Sequence, residues 1–421
     1  MAAALPTKSQ VDEALSGLAE AAKSYSDAPD LAGCASRVDI IARAKSLMRS
    51  VVSPDMMPHY HGLNMAELVG IRTFIKLRVL DAMPRQGSIS LQDLSSATGV
   101  QDSLLGSKTF ASSFLDQTRQ DGGDYMHTKF SRAYLLDEPG PGYLFLAMQA
   151  GHSQSFRYDE WFKKMHNFDD YLVEKGQLQH AREPDDPLHN PYTFYHRQQG
   201  TPVWAIMSQD PERFRTFQTG MAGIDRTIPV VGHFDFDALR NTPDEASEKR
   251  IQVVDVGGGH GAVLKKILDA HKDALAPAAC VLEDRPEVIQ LSKTNGILPD
   301  DVQRLEHDFM TEQPVKGAKA YLMRMILHDY ADAVGVQILT CLAAAMAPDS
   351  RVLICEMVMP SRVNEADFPA AVLDQAVMTM GGKERTEQGF AKMLHAAGLE
   401  LVKVWRVPGV PGGCVEGRRR Q

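Results

Sequence analysis

The sequence is poor in the features that mark several functional classes. Its 421 residues include five cysteines, Cys34, Cys280, Cys341, Cys355 and Cys414. An odd count, with no CxxC and no Cys/His ligand spacing, argues against a disulfide framework and a cysteine-based zinc site. Cys280 and Cys355 lie in apolar runs and read as small buried hydrophobes. Basic charge is not in excess: 45 Lys and Arg against 54 Asp and Glu give a net charge of −9. That argues against general nucleic-acid binding, because neutralising phosphates needs a basic surface. No stretch reaches the ~18 uninterrupted apolar residues of a membrane span. Residues 1–25 lack a basic segment followed by a long apolar run, so no secretory leader is expected. The expected compartment is the cytoplasm.

What is present is an ordinary globular balance, 44% apolar and 24% charged, in a chain long enough for two or three domains and a sizeable core. Residues 1–58 read as a helical arm. Val11, Ala14, Leu15, Leu18 and Ala22, then Ile40, Ile41, Ala44, Leu47 and Met48, recur at helical spacing, and Pro54 and Pro58 are expected to close the segment. Its apolar stripe must be buried, on a partner subunit or on its own chain. Residues 59–135 suggest a winged-helix-like unit. A helix through Leu68–Leu80 precedes a second capped by Ser90 and stopped by Gly99, a third running from Leu104 to Phe114, and a short hairpin. Residues 136–235 read as a helical linker. There Met207, Phe214, Phe217 and Met221 are either core or a flexible apolar wall for a ligand. From 236 to 421, strands alternate with helices, which predicts a doubly wound α/β sheet.

Within that last region, Asp255-Val256-Gly257-Gly258-Gly259-His260-Gly261 stands where a strand hands over to a helix. Glycines there permit a tight turn and close ligand approach, and the helix N-terminus offers free N–H groups. Glu283-Asp284 ends the next strand, where a carboxylate accepts ribose hydroxyls. Because Gly257, Gly259 and Ala262 also satisfy the loose dinucleotide pattern, a nicotinamide enzyme competes at this point. Further strand ends bring His307-Asp308-Phe309, His328, Glu356 and, in a loop, Glu384. A histidine with two acids suits general-base chemistry, with a neutral imidazole as base near pH 7.

The ordered set VVDVGGGHG, EDRPEVI, EHDF, MRMILHDY, LICEMVMP and GGKERT resembles the class I S-adenosylmethionine-dependent O-methyltransferases of the caffeate/hydroxyindole type, closest to the branch acting on plant and fungal secondary metabolites. The resemblance implies a Rossmann-like methyltransferase domain, an N-terminal winged-helix dimerisation domain, a homodimer and a small-molecule acceptor, with no metal required. It implies that Gly257 and Gly259 face the methionine part of the cofactor, that Asp284 holds the ribose, and that Asp308 and Phe309 contact the adenine. Arg324 stands where the family usually has lysine near the cofactor. His328 is implied as the base, oriented by Glu356 and Glu384. Phe217, Met221, Met378 and Met380 are implied to line the acceptor pocket. The alternative is a pericyclase or dehydratase on the same fold that retains the cofactor unconsumed.

Overall fold

The computed structural model describes residues 5–28, 31–105, 114–119, 122–132, 134–135, 168–176, 182–211, 229–363, 367–407 and 412–420. The described residues fall into two compact units, one from within Met1–Glu20, Arg43–Lys163 and Met207–Ile224, the other from within Ala21–Ala42, Lys164–Ile206 and Asp225–Gln421.

In the first unit, the expected helix through Leu68–Leu80 is two helices, Met57–Lys76 and Val79–Ala82. Arg78 takes a left-handed conformation between them, φ 56°, and breaks the hydrogen-bond ladder. Pro58 opens the first of these instead of closing the arm, because a first-turn proline forfeits no intrahelical bond. Helix Leu91–Thr98 begins as expected, with Ser90 Oγ accepting the Asp93 N–H, and ends at left-handed Gly99. The next helix is seen at Asp102–Leu105; residues 106–113 lie outside the described residues, and Phe114 already belongs to the turn before the hairpin. That hairpin pairs β1 (Leu115–Arg119) with β2 (Gly122–His127). Phe74, Leu80, Leu94, Leu105 and Phe114 are among the buried side chains at this unit's centre.

The second unit is built on one sheet. Its strands are β3 (Val253–Val256), β4 (Cys280–Asp284), β5 (Gln303–Glu306), β6 (Ala320–Arg324), β7 (Arg351–Met359), β8 (Arg385–Thr386), β9 (Leu399–Arg406) and β10 (Gly412–Arg419). Their order is β5-β4-β3-β6-β7-β10-β9, with β8 paired to β7. Strands β5, β4, β3, β6 and β7 are parallel. β10 runs antiparallel to both β7 and β9, as the few residues joining β9 to β10 require. Successive side chains point to opposite faces. Val254, Tyr321, Met323, Val352 and Ile354 therefore enter one core layer, and Val253, Leu322, Leu353 and Cys355 enter the other. Each such buried aliphatic side chain contributes about 1.5–3 kcal/mol.

This order positions the site. The chain winds outward from β3 through β4 to β5, then returns to β6 on the other side of β3. The crevice outside the C-terminal ends of β3 and β6 is the topological switch point, where open α/β sheets bind ligands.

Candidate active site

One wall of the crevice is main chain. The loop after β3 carries Gly257 and Gly259 at positive φ, 68° and 61°. The N–H groups of Gly257 and Gly258 donate to the Glu283 carbonyl at 2.8 and 3.1 Å. The Gly259 N–H donates to Asp284 Oδ2 at 2.8 Å, and the Arg285 N–H donates to Oδ1 at 2.8 Å. Asp284 is thereby fixed at the end of β4, with lone pairs left for further donors. Burial raises its pKa, opposed by these two N–H donors. Gly258 has no room for a side chain: a Cβ would strike the Asp255 carboxylate and approach Leu282 Cδ1 to 2.5 Å. Asp255 is itself buried, and burial together with the charge of Asp284 pushes it up to about 7, against the pull of Arg324. Phe309 lies over the same loop, its Cε1 3.4 Å from where a Gly257 Cβ would stand. Its ring meets Tyr330 edge-on, with centroids 6.1 Å apart. Asp308 is exposed beside it, and its Oδ1 accepts the Met310 N–H at 3.0 Å.

The other wall is made of side chains. His328 occupies a short turn, Leu327–Asp329, just after β6. Its Nδ1 lies 2.7 Å from Glu384 Oε1, and its Nε2 lies 3.6 Å from Asp329 Oδ1. Glu356, buried in β7, acts on the main chain. Its Oε1 accepts the N–H groups of Ile326, Leu327 and His328 at 3.1, 2.6 and 3.3 Å. The two acids assigned together from sequence thus divide the work, Glu384 holding the ring and Glu356 holding the turn. Burial disfavours the His328 cation, but Glu384, Asp329 and Glu356 outweigh it and raise the pKa to about 10. The surrounding acids favour the imidazolium form of the ring. Burial also raises Glu356 to about 7, against the attraction of His328.

The turn is clamped by residues to which sequence reasoning gave no role. Arg385, present in the GGKERT motif, donates to the carbonyls of Leu327 (2.8 Å) and Tyr330 (2.7 Å) and pairs with Asp332 at 2.8 Å. The Lys383 N–H donates to the His328 carbonyl at 2.9 Å, and a Cβ on Gly382 would collide with that same carbonyl. Asp374 accepts the Glu384 N–H at 2.8 Å. Asn190, fully buried, donates to the Met380 carbonyl at 3.0 Å. No local pattern signals that bond, because the partners are 190 residues apart. Met325 follows β6 directly with φ 55°; this left-handed bend leads the chain into the His328 turn. Met380 is buried and Met378 half-buried in the helix Phe368–Met378 and the turn that follows it. Phe217 and Met221 lie outside the described residues. Among the described residues, one group has metal-ligand spacing, Asp235, Asp237 and His271. His271 caps the far end of the helix Ala262–Ala270 and so belongs to the opposite edge of the sheet.

Comparison with known proteins agrees with this architecture. The O-methyltransferase domain family matches residues 181–400, more than half of the chain. Methyltransferase cfoD of Aspergillus candidus is 31% identical over 384 residues, covering 89% of this chain and 90% of that protein. O-methyltransferase hmp5 of Hypomyces subiculosus is 31% identical over 352 residues, covering 82% and 83%. Among solved structures, OxaC is 24% identical with a TM-score of 0.79, covering 98% of this chain and all of that one. A pericyclic reaction enzyme is 20% identical with a TM-score of 0.78, covering 99% of this chain and 100% of that one. At these identities the two structures bear on the fold alone, which is that of the class I methyltransferases. On the strength of the family match and the two relatives, the chain belongs to the S-adenosylmethionine-dependent O-methyltransferases.

Proposed function

We propose that this enzyme methylates a hydroxyl of an aromatic or polyketide-derived small molecule of secondary metabolism, with His328 as the general base. The observation that carries the reading is the buried His328–Glu384 pair, 2.7 Å apart, at the same sheet edge as the Asp284-anchored glycine loop. The residues present suit a cationic donor. Asp255, Glu356 and Glu384 each keep one buried carboxylate oxygen without a hydrogen-bond partner, a set of acceptors that fits a donor carrying positive charge and hydroxyls. We assign Asp284 to the ribose hydroxyls, Asp308 and Phe309 to the adenine, Gly257 and Gly259 to the methionine portion, and Arg324, whose charge acts on Asp255, to the same cofactor site. S-adenosylmethionine supplies an already activated methyl group, so the chain's own task is alignment and proton removal.

Proton removal falls to Nε2 of His328, because Nδ1 is engaged by Glu384. The carboxylate fixes the tautomer and stabilises the imidazolium that forms. The same acids favour the protonated ring, and a nearby positive charge moves it back towards the neutral form. The resident carboxylates and a cationic donor therefore act on His328 in opposite senses. Glu356 and Arg385 act through the main chain, keeping Nε2 at a set place.

Met378 and Met380, with Phe217 and Met221, are assigned to the acceptor pocket. The chain is read as an arm (1–58), a winged-helix-like dimerisation domain (59–135), a linker and pocket region (136–235) and the methyltransferase domain (236–421). Met48, Met57, Leu63 and Met65 are exposed, which supports a homodimer that covers them. No described helix is long and apolar enough to cross a membrane, and we assign the enzyme to the cytoplasm.

The test is mass spectrometry of a phenolic and polyketide panel incubated with enzyme and methyl-labelled S-adenosylmethionine. One labelled methyl gained by an acceptor is expected. An acceptor that isomerises or loses water while the donor stays unconsumed would overturn methyl transfer in favour of a pericyclase or dehydratase.

A further inference from the structure

Glu283 stands one residue before Asp284 and has no part in the assignments above. It is 1% exposed, and its main chain and side chain face different partners. The carbonyl accepts both N–H groups at the start of the glycine loop, Gly257 and Gly258. The carboxylate reaches the opposite way. Its Oε2 accepts from Gln313 Nε2 at 2.9 Å and lies 3.0 Å from His307 Nδ1. These two partners bracket Asp308 and Phe309, the residues assigned to the adenine. His307 is tied in twice more: its N–H donates to the Asp284 carbonyl at 2.9 Å, and its Nε2 lies 3.2 Å from the Glu312 carbonyl. Gln313 Oε1 in turn accepts the Val315 N–H at 2.9 Å. One buried residue thus joins the three segments that the donor reading assigns to the cofactor: the glycine loop, Asp284 and the Asp308–Phe309 loop.

From this geometry we infer that Glu283 is a positioning residue of the donor site, setting the Asp308–Phe309 loop against Asp284 and the glycines. The inference rests on the donor-site reading above. Removing a buried group shared by two side chains leaves both partners without it in the interior, which costs more than the bonds themselves contribute. Glu283 makes no hydrogen bond to the base turn, which is held separately by Glu356, Glu384 and Arg385. Its loss is therefore expected to fall on donor affinity and to spare the chemical step.

The experiment compares Glu283→Leu, Glu283→Gln and His307→Ala in the full chain. Calorimetry reads S-adenosylhomocysteine binding, and steady-state kinetics read methyl transfer. Glu283→Leu is expected to weaken S-adenosylhomocysteine about tenfold or more, to raise KM for the donor alike, and to leave kcat within about twofold. Glu283→Gln is expected to restore affinity to within about threefold of wild type, because its amide oxygen accepts both bonds. His307→Ala is expected to weaken binding about tenfold by itself, and it carries the test if the leucine variant does not fold. Wild-type affinity in a folded Glu283→Leu or His307→Ala variant overturns the assignment, as does a loss confined to kcat. Failure of the wild-type chain to bind S-adenosylhomocysteine overturns the donor-site reading itself, whereas wild-type binding with insensitive variants overturns only the role of Glu283.

Discussion

Around Asp284 the contacts are main-chain N–H groups, from Gly259 in the loop after β3 and from the adjacent Arg285. Around His328 they are side chains from β7, from the turn after β6 and from the loop before β8. The first wall is a local structure: once β3 and β4 pair, the glycine loop and its aspartate have little freedom left. The second is an assembly whose every distance depends on three separate chain segments reaching one place. The two walls should therefore respond to substitution in different currencies, affinity at the first and rate and pH dependence at the second.

The sharpest separation is expected from His328→Ala. Methyl transfer should fall by about 10²–10⁴-fold, the usual contribution of a general base, while S-adenosylhomocysteine affinity by calorimetry stays near wild type. Transfer at near wild-type rate would remove His328 from the mechanism. The converse is Asp284→Ala, which deletes a charged acceptor that also anchors the loop. Donor affinity should drop about ten- to hundredfold; an unchanged Kd would refute the ribose role.

A subtler contrast lies in pH. His328 is raised from 6.5 to about 10 by its carboxylates, against its burial. The unprotonated base accumulates as pH rises, so the wild-type rate should climb through the alkaline range. Glu384→Gln should move that climb to lower pH. The same shift bears on stability with a definite sign. A group whose folded pKa lies above its unfolded value stabilises fully below the unfolded value, and the benefit is lost as pH rises through the folded one. The Tm of Glu384→Gln should therefore fall furthest behind wild type below about pH 6.5 and converge on it as pH approaches 10. A gap that widens with pH would contradict the ion pair. The smallest effect belongs to Met325, left-handed at φ 55°. Met325→Gly should be at least as stable as wild type, because glycine adopts that conformation without penalty. Met325→Val should be less stable than wild type, because a β-branched side chain tolerates that region less well than an unbranched one. Denaturant titration of the pair distinguishes a genuine left-handed bend from an ordinary strand end.

How much of this was legible follows the same division. The glycine loop, Asp284 and the alternation of strands and helices could be read directly, because glycine at a strand–helix junction and an acid at the next strand end are local chemical requirements. His328 and Glu384 were legible as residue types at strand ends, and the family resemblance paired them. The different role of Glu356 was not legible: whether a carboxylate faces a ring or three N–H groups is decided by where β7 lies against the turn after β6. Arg385 was in view without a role, since its carbonyl partners have no side-chain signature. Asn190 gave no signal at all, because its contact with Met380 exists only after the loop at 186–190 packs on the segment before Glu384.

By itself, then, the sequence determined the α/β alternation, the glycine loop and the residue types at the strand ends, since each rests on backbone conformation or on chemistry within a few residues. Only the tertiary structure decided the antiparallel return of β10, the division of labour between Glu356 and Glu384, and the upward pull of three acids on the pKa of His328. Those depend on burial and on charges brought within a few ångströms from distant parts of the chain, and electrostatic interaction is set by distance in space and by exclusion of water, neither of which is written in the spacing of residues.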